Sequence, residues 1–212
     1  MDRDELIPRL RGVTHAWALV VAVAGAVALA LLAPAGTPRL AAVVYGSGLC
    51  ALFAGSALYH RWRWSPRVRP LLRRIDHSTI FVFIAASYTP VALLVLEGSL
   101  RWVVLGLVWA GALAGVALSV AWITAPRVLV ACAYVALGWV AVIATPQLLD
   151  RLPTAPLVLF AVGGVLYSAG AAVYAARRPD PWPRVFGFHE LFHAFVVAAA
   201  ATHYVAMAGW VI

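Results

Sequence analysis

Seven long apolar runs divide this chain, separated by short clusters of proline, glycine and charged residues. They cover about 14–33, 40–60, 77–96, 102–123, 127–146, 156–176 and 187–211. A helix needs about 20 apolar residues to cross roughly 30 Å of hydrocarbon, and each run meets that length. The breaks carry turn chemistry: Pro34 to Pro38, Ser65-Pro66, Glu97-Gly98, Ala125-Pro126, Pro153 with Pro156, and Pro179 to Pro183. Pro90 falls inside the third run, where a kink is tolerated because neighbouring groups satisfy the freed carbonyl. The runs are continuous and far longer than the ~10-residue alternating segments of a membrane barrel. The pattern predicts an all-α membrane protein, a single domain of seven transmembrane helices over residues 1–212, with no internal repeat.

Composition agrees. Hydrophobic residues make up 64% of the chain and charged residues 11%, with a mean hydropathy of +0.92. A soluble domain carries about 25% charged residues, so this chain cannot clothe a water-facing surface. A soluble enzyme, a disordered chain and a disulfide-stapled secreted domain are all excluded. Cys50 and Cys132 both lie in apolar runs and read as packing residues.

The net charge of +8 suggests nucleic acid until the positions are examined. All 16 basic residues are arginine. Seven spans place the N-terminus and the second, fourth and sixth loops on one side, and 13 arginines fall there; six of them lie between Arg61 and Arg74. Arg39, Arg101 and Arg151 fall on the other. Such a bias marks the cytoplasmic face, so the N-terminus is expected inside and the C-terminus outside. The charge then needs no nucleic acid, and the six-arginine loop reads as a topology determinant in contact with anionic lipid. Ala33-Pro34-Ala35 loosely resembles a signal-cleavage site. The acidic Asp2, Asp4 and Glu5 and the length of the first run argue instead for a retained span. Trp62, Trp64, Trp102, Trp182 and Trp210 near span ends read as an interfacial belt.

Ionisable residues within or at the mouth of spans are costly and are functional candidates by default. Here they are His15, His60, Asp76, His77, His189, Glu190, His193 and His203. His60 ends the second span, Asp76 opens the third, and His189 and His193 occupy the first two turns of the seventh. All four fall at one depth near the cytoplasmic face. His189 and His193 are four residues apart and share a helix face, as Ser56 and His60 do. Three imidazoles with an open position are the make-up of a catalytic zinc site, and imidazole suits zinc better than calcium or magnesium. A lone membrane histidine is more often a helix–helix hydrogen bond; the coincidence of depth favours the metal. His15 starts at the same end but has no evident partner, and reads as structural or interfacial. His77 should face elsewhere. His203 lies about 15 Å further along its helix than His193 and reads as a packing contact. His189-Glu190-Leu191-Phe192-His193 also matches H-E-x-x-H, the zincin pattern, but no further ligand follows at a usable distance. Glu190 reads as a helix-N-terminal carboxylate facing the cytoplasm, with a role as base kept open.

Ser56-Ala57-Leu58-Tyr59-His60, then Ile75-Asp76-His77-Ser78, then Ala86-Ser87-Tyr88-Thr89-Pro90, and finally Phe188-His189-Glu190-Leu191-Phe192-His193 closely resemble the bacterial hemolysin III family. That family belongs with the progestin and adipoQ receptors and is similar in turn to alkaline ceramidases. The resemblance implies seven helices in a bacterial cell membrane and a zinc ion near the cytoplasmic leaflet. It implies His60, His189 and His193 as ligands, Asp76 as the residue that holds or activates a zinc-bound water, and Ser56 as its supporting serine. The leading expectation is a zinc-dependent hydrolase cutting an amide or ester bond of a membrane lipid. The alternative is a non-enzymatic sensor of membrane state with zinc as a structural pin. A pore-former is disfavoured because the spans lack a polar lining, and a coupled transporter because the midplane lacks ionisable groups.

Overall fold

The computed structural model describes residues 8–212; Arg3 and the acidic Asp2, Asp4 and Glu5 lie outside the described residues. Among the described residues eight α-helices follow one another: α1 (Val13–Leu32), α2 (Thr37–Arg61), α3 (Arg69–Leu94), α4 (Gly98–Ala121), α5 (Arg127–Gly138), α6 (Ala141–Arg151), α7 (Thr154–Ala176) and α8 (Phe188–Ala206). The last continues through a π-helical turn, Met207–Val211. Since α5 and α6 lie end to end, these helices make seven segments of membrane length.

The expected spans are present, with two differences. The third helix starts at Arg69, eight residues before the apolar run, because Pro70 in its first turn is already set to helical φ. Asp76 therefore lies two turns inside α3 rather than at its mouth. The fifth span runs on to Arg151 and is broken at Trp139 and Val140. The hydroxyl of Tyr88, from α3, enters that break. It donates to the Gly138 carbonyl and accepts from the Ala141 N–H at 2.8 Å. Trp139 Nε1 donates to Ser168 Oγ on α7 at 3.0 Å.

Lipid tails are as apolar as leucine, so helices in a bilayer associate by close packing rather than by exclusion of water. The chain uses small residues accordingly. A Cβ on Gly46 would come within 2.7 Å of the Ala26 Cβ on α1, and one on Gly48 within 2.5 Å of the Ala86 Cβ on α3. Helix α2 is thus wedged between α1 and α3. Buried residues on α1 recur every seven positions, at His15, Ala22 and Leu29, while Val20, Val21, Leu31 and Leu32 stay exposed on an apolar exterior. Each of α1 to α4 packs on its neighbour, α5 packs on α7 and α3, and α7 packs on α8, which returns to α1. That closure brings the first turn of α1, the last of α2 and the start of α8 to one end of the bundle.

Candidate metal centre

His60 is the penultimate residue of α2, and His189 and His193 lie in the first two turns of α8. One ring nitrogen from each falls within 4.8 Å of the others. The Nε2 atoms of His60 and His189 are 3.2 Å apart. Two nitrogens at about 2.0–2.1 Å from a tetrahedral zinc would stand roughly 3.3 Å apart, so this spacing fits a shared ion. His193 is buried and its Nδ1 has no hydrogen-bond partner among the described residues. Three imidazoles suit zinc and offer too little oxygen for calcium or magnesium. The residues present therefore fit the metal that the sequence predicts.

Asp76 is buried on α3, with Oδ2 3.6 Å from His60 Nε2. Its own peptide carbonyl accepts the Thr79 hydroxyl at 2.8 Å, and Thr79 packs on Gly55 of α2, which sets the α2–α3 register beside His60. Ser56 lies one turn before His60, buried, and its Oγ has no hydrogen-bond partner among the described residues. His77 stays outside the trio; its carbonyl accepts the Tyr134 hydroxyl at 3.1 Å. His203 places Nε2 3.2 Å from the Phe160 carbonyl and sets its ring edge-on to Phe160 and Tyr167, away from the cluster.

Two residues differ from expectation. Glu190 does not face outward: it is 1% exposed, with one carboxylate oxygen hydrogen-bonded and the other in an ion pair. Oε2 accepts the Gly187 N–H at 2.9 Å, closing the first turn of α8, and Oε1 lies 2.7 Å from Arg11 Nε. Burial lowers the Arg11 pKa, and the Glu190 charge opposes that shift. His15 is not isolated. Its ring stacks on His193, with centroids 3.9 Å apart and planes 8° from parallel, and meets Phe53 edge-on. Its place in the first turn of α1, at the depth of the other histidines, is the signal that sequence offers. The stack itself depends on how α1 meets α8.

A short N-terminal strap covers this end. The N–H groups of Arg9 and Leu10 donate to the carbonyls of Arg184 and Val185, each at 3.1 Å. Gly12 then turns the chain with φ of +72°, so close that a Cβ would lie 2.8 Å from the His60 Cβ. Only glycine meets both demands without strain.

A family model described as haemolysin-III related matches residues 6–204, a stretch that contains every residue of this centre. Hemolysin-3 of Bacillus cereus is 30% identical over 162 residues, covering 76% of this chain and 71% of that protein. The Hemolysin-3 homolog of Bacillus subtilis (strain 168) is 32% identical over 158 residues, covering 74% and 71%. The monocyte to macrophage differentiation factor of Homo sapiens is 29% identical over 202 residues, covering 92% and 80%.

Proposed function

The chain belongs to the haemolysin-III-related family, and from that premise we propose that it is a zinc-dependent hydrolase of a bacterial cell membrane, cutting an amide or ester bond of a membrane lipid. The observation that carries this reading is the cluster of His60, His189 and His193 within 4.8 Å, with the Asp76 carboxylate beside it. Zinc held by the three imidazoles would polarise a carbonyl and lower the pKa of a water to about 7.

The protein's own groups do the rest. Asp76 Oδ2 accepts the proton of the attacking water, the work of a general base. Ser56 Oγ, buried and without a partner, donates a hydrogen bond to the oxygen on which charge develops. The strap over His60 limits water from the arginine-rich end, and the apolar exterior of the bundle favours a substrate that arrives from the bilayer.

The test compares purified, zinc-loaded protein with Asp76→Asn and His193→Ala on a panel of ceramides, phospholipids and acylglycerols. Wild type should release fatty acid. Asp76→Asn should keep its zinc and lose about 100-fold or more in rate, the usual worth of a positioned base. His193→Ala should lose zinc and activity together. Stoichiometric zinc with no release from any lipid, and an Asp76→Asn variant that behaves as wild type in cells, would overturn the hydrolase and leave zinc as the pin of a membrane-state sensor.

A further inference from the structure

Four histidine rings meet at this end of the bundle, and the trio of mutually close nitrogens accounts for three of them. The fourth, His15, is 2% exposed, and neither ring nitrogen has a hydrogen-bond partner among the described residues. A buried polar group left unpaired is costly, so two such atoms on one ring point to a partner beyond the described residues. Phe53, Ser56 and His60 share one face of α2, at i, i+3 and i+7, and the ring of His15 touches Phe53 on that face. His15 therefore stacks on one member of the trio and meets the face of α2 that also carries Ser56.

Geometry decides what His15 can do there. An imidazole nitrogen offers its lone pair only within the plane of its own ring. His15 is parallel to that ring and displaced by a 3.9 Å stack. Stacked rings aim their lone pairs within parallel planes, so an ion held by His193 would not be held by His15 as well. The nitrogens of His15 instead lie in the plane alongside that of His193.

We propose that His15 is a binding residue of the metal centre and not a ligand: its face fixes the plane of His193, and its in-plane nitrogens hydrogen-bond the polar group of the molecule that the ion holds. For a lipid amide or ester, that group is the one next to the scissile carbonyl. The inference rests on the metal-centre reading and deepens it.

The experiment uses the full chain in detergent, loaded with cobalt(II) as a visible substitute for zinc and titrated with acetohydroxamate, which binds such an ion and carries a hydrogen-bonding group beside it. His15→Phe keeps a flat ring on His193 and removes both nitrogens. It should take up as much cobalt as wild type with the same absorption band, yet bind acetohydroxamate roughly tenfold more weakly. His15→Gln, which restores a donor and an acceptor, should recover most of that loss. His15→Ala, which removes the stacked face, should shift the cobalt band. If phenylalanine is too bulky for the fold to form, His15→Leu carries the same comparison. Equal acetohydroxamate affinity in wild type and in the apolar variant overturns the proposal. So does loss of cobalt from a folded apolar variant, which would make His15 a ligand. Wild-type protein that takes up no cobalt or zinc is a separate failure, of the metal centre itself.

Discussion

Glu190 lies between two histidines of the trio in sequence, yet its carboxylate is directed to the Gly187 N–H and to Arg11. The H-E-x-x-H match is therefore one of spacing without function: α8 turns the histidines inward and uses the glutamate to close its own first turn. Glu190→Gln keeps an oxygen for Gly187 and removes the charge from Arg11. It should lower stability by about 1–3 kcal/mol, measured by denaturant unfolding in detergent, while metal content stays as in wild type. If lipid hydrolysis falls 100-fold with metal intact, the base is Glu190 and not Asp76. Legibility at this scale follows the range of each interaction. The four-residue spacing of His189 and His193, and the depth of His60 and Asp76, are carried by helix periodicity and span ends, so the sequence exposes them. The cap is local too, since Gly187 and Glu190 stand at the N-cap and third positions of a helix. The stack of His15 on His193 joins the first helix to the last, and no local spacing encodes it.

Helices here meet through what their sequences omit. Gly48 leaves room for the Ala86 methyl, and the pair forms a seam between α2 and α3. Gly48→Ala should cost about 1–3 kcal/mol by overpacking, and Ala86→Gly in the same chain should restore a large part of it; additive losses would mean that the seam is not shared. At the break between α5 and α6, one hydroxyl from α3 serves both the Gly138 carbonyl and the Ala141 N–H. Tyr88→Phe should leave the Gly138 carbonyl and Ala141 N–H without that partner, cost about 1–3 kcal/mol, and speed amide exchange around residues 138–142. Stability and exchange equal to wild type would show that the broken span satisfies itself. The apolar run through this segment is continuous, which is why the span itself was legible but its interruption was not: Tyr88 lies 50 residues from Gly138. The early start of α3 was masked for the opposite reason. Arg69, Arg73 and Arg74 read as loop charges, whereas Pro70 had already opened a helix.

For the whole molecule, charge sets direction. Twelve of the described arginines lie at the end that holds the trio, or lead into helices that start there, from Arg61 to Arg74 on the α2–α3 side and from Arg177 to Arg184 before α8 among them. The three at the far end are engaged by local groups. Arg39 donates to the Ala33 carbonyl at 3.0 Å, Arg101 to the Leu96 carbonyl at 2.9 Å, and Arg151 pairs with Glu97 at 2.5 Å. Two of these close the C-terminal ends of α1 and α3, where cations are favoured. The bias predicts that the arginine-rich end faces the cytoplasm. A periplasm-active phosphatase fused after Ile212 should be active, and a fluorescent protein that needs the cytoplasm should stay dark there; the reverse pattern would invert the bundle and place the metal centre at the outer leaflet. The architecture also carries a schedule. His60 and His189 are 129 residues apart, so the two halves of the centre leave the ribosome at different times. At about 5–20 residues per second, the wait is roughly 6 to 26 seconds. Through that interval His60 and Asp76 have already been made while the second half of the centre has not. A nascent chain halted before α8 lacks two of the three histidines, so an assembled trio is also a certificate that synthesis reached the last helix.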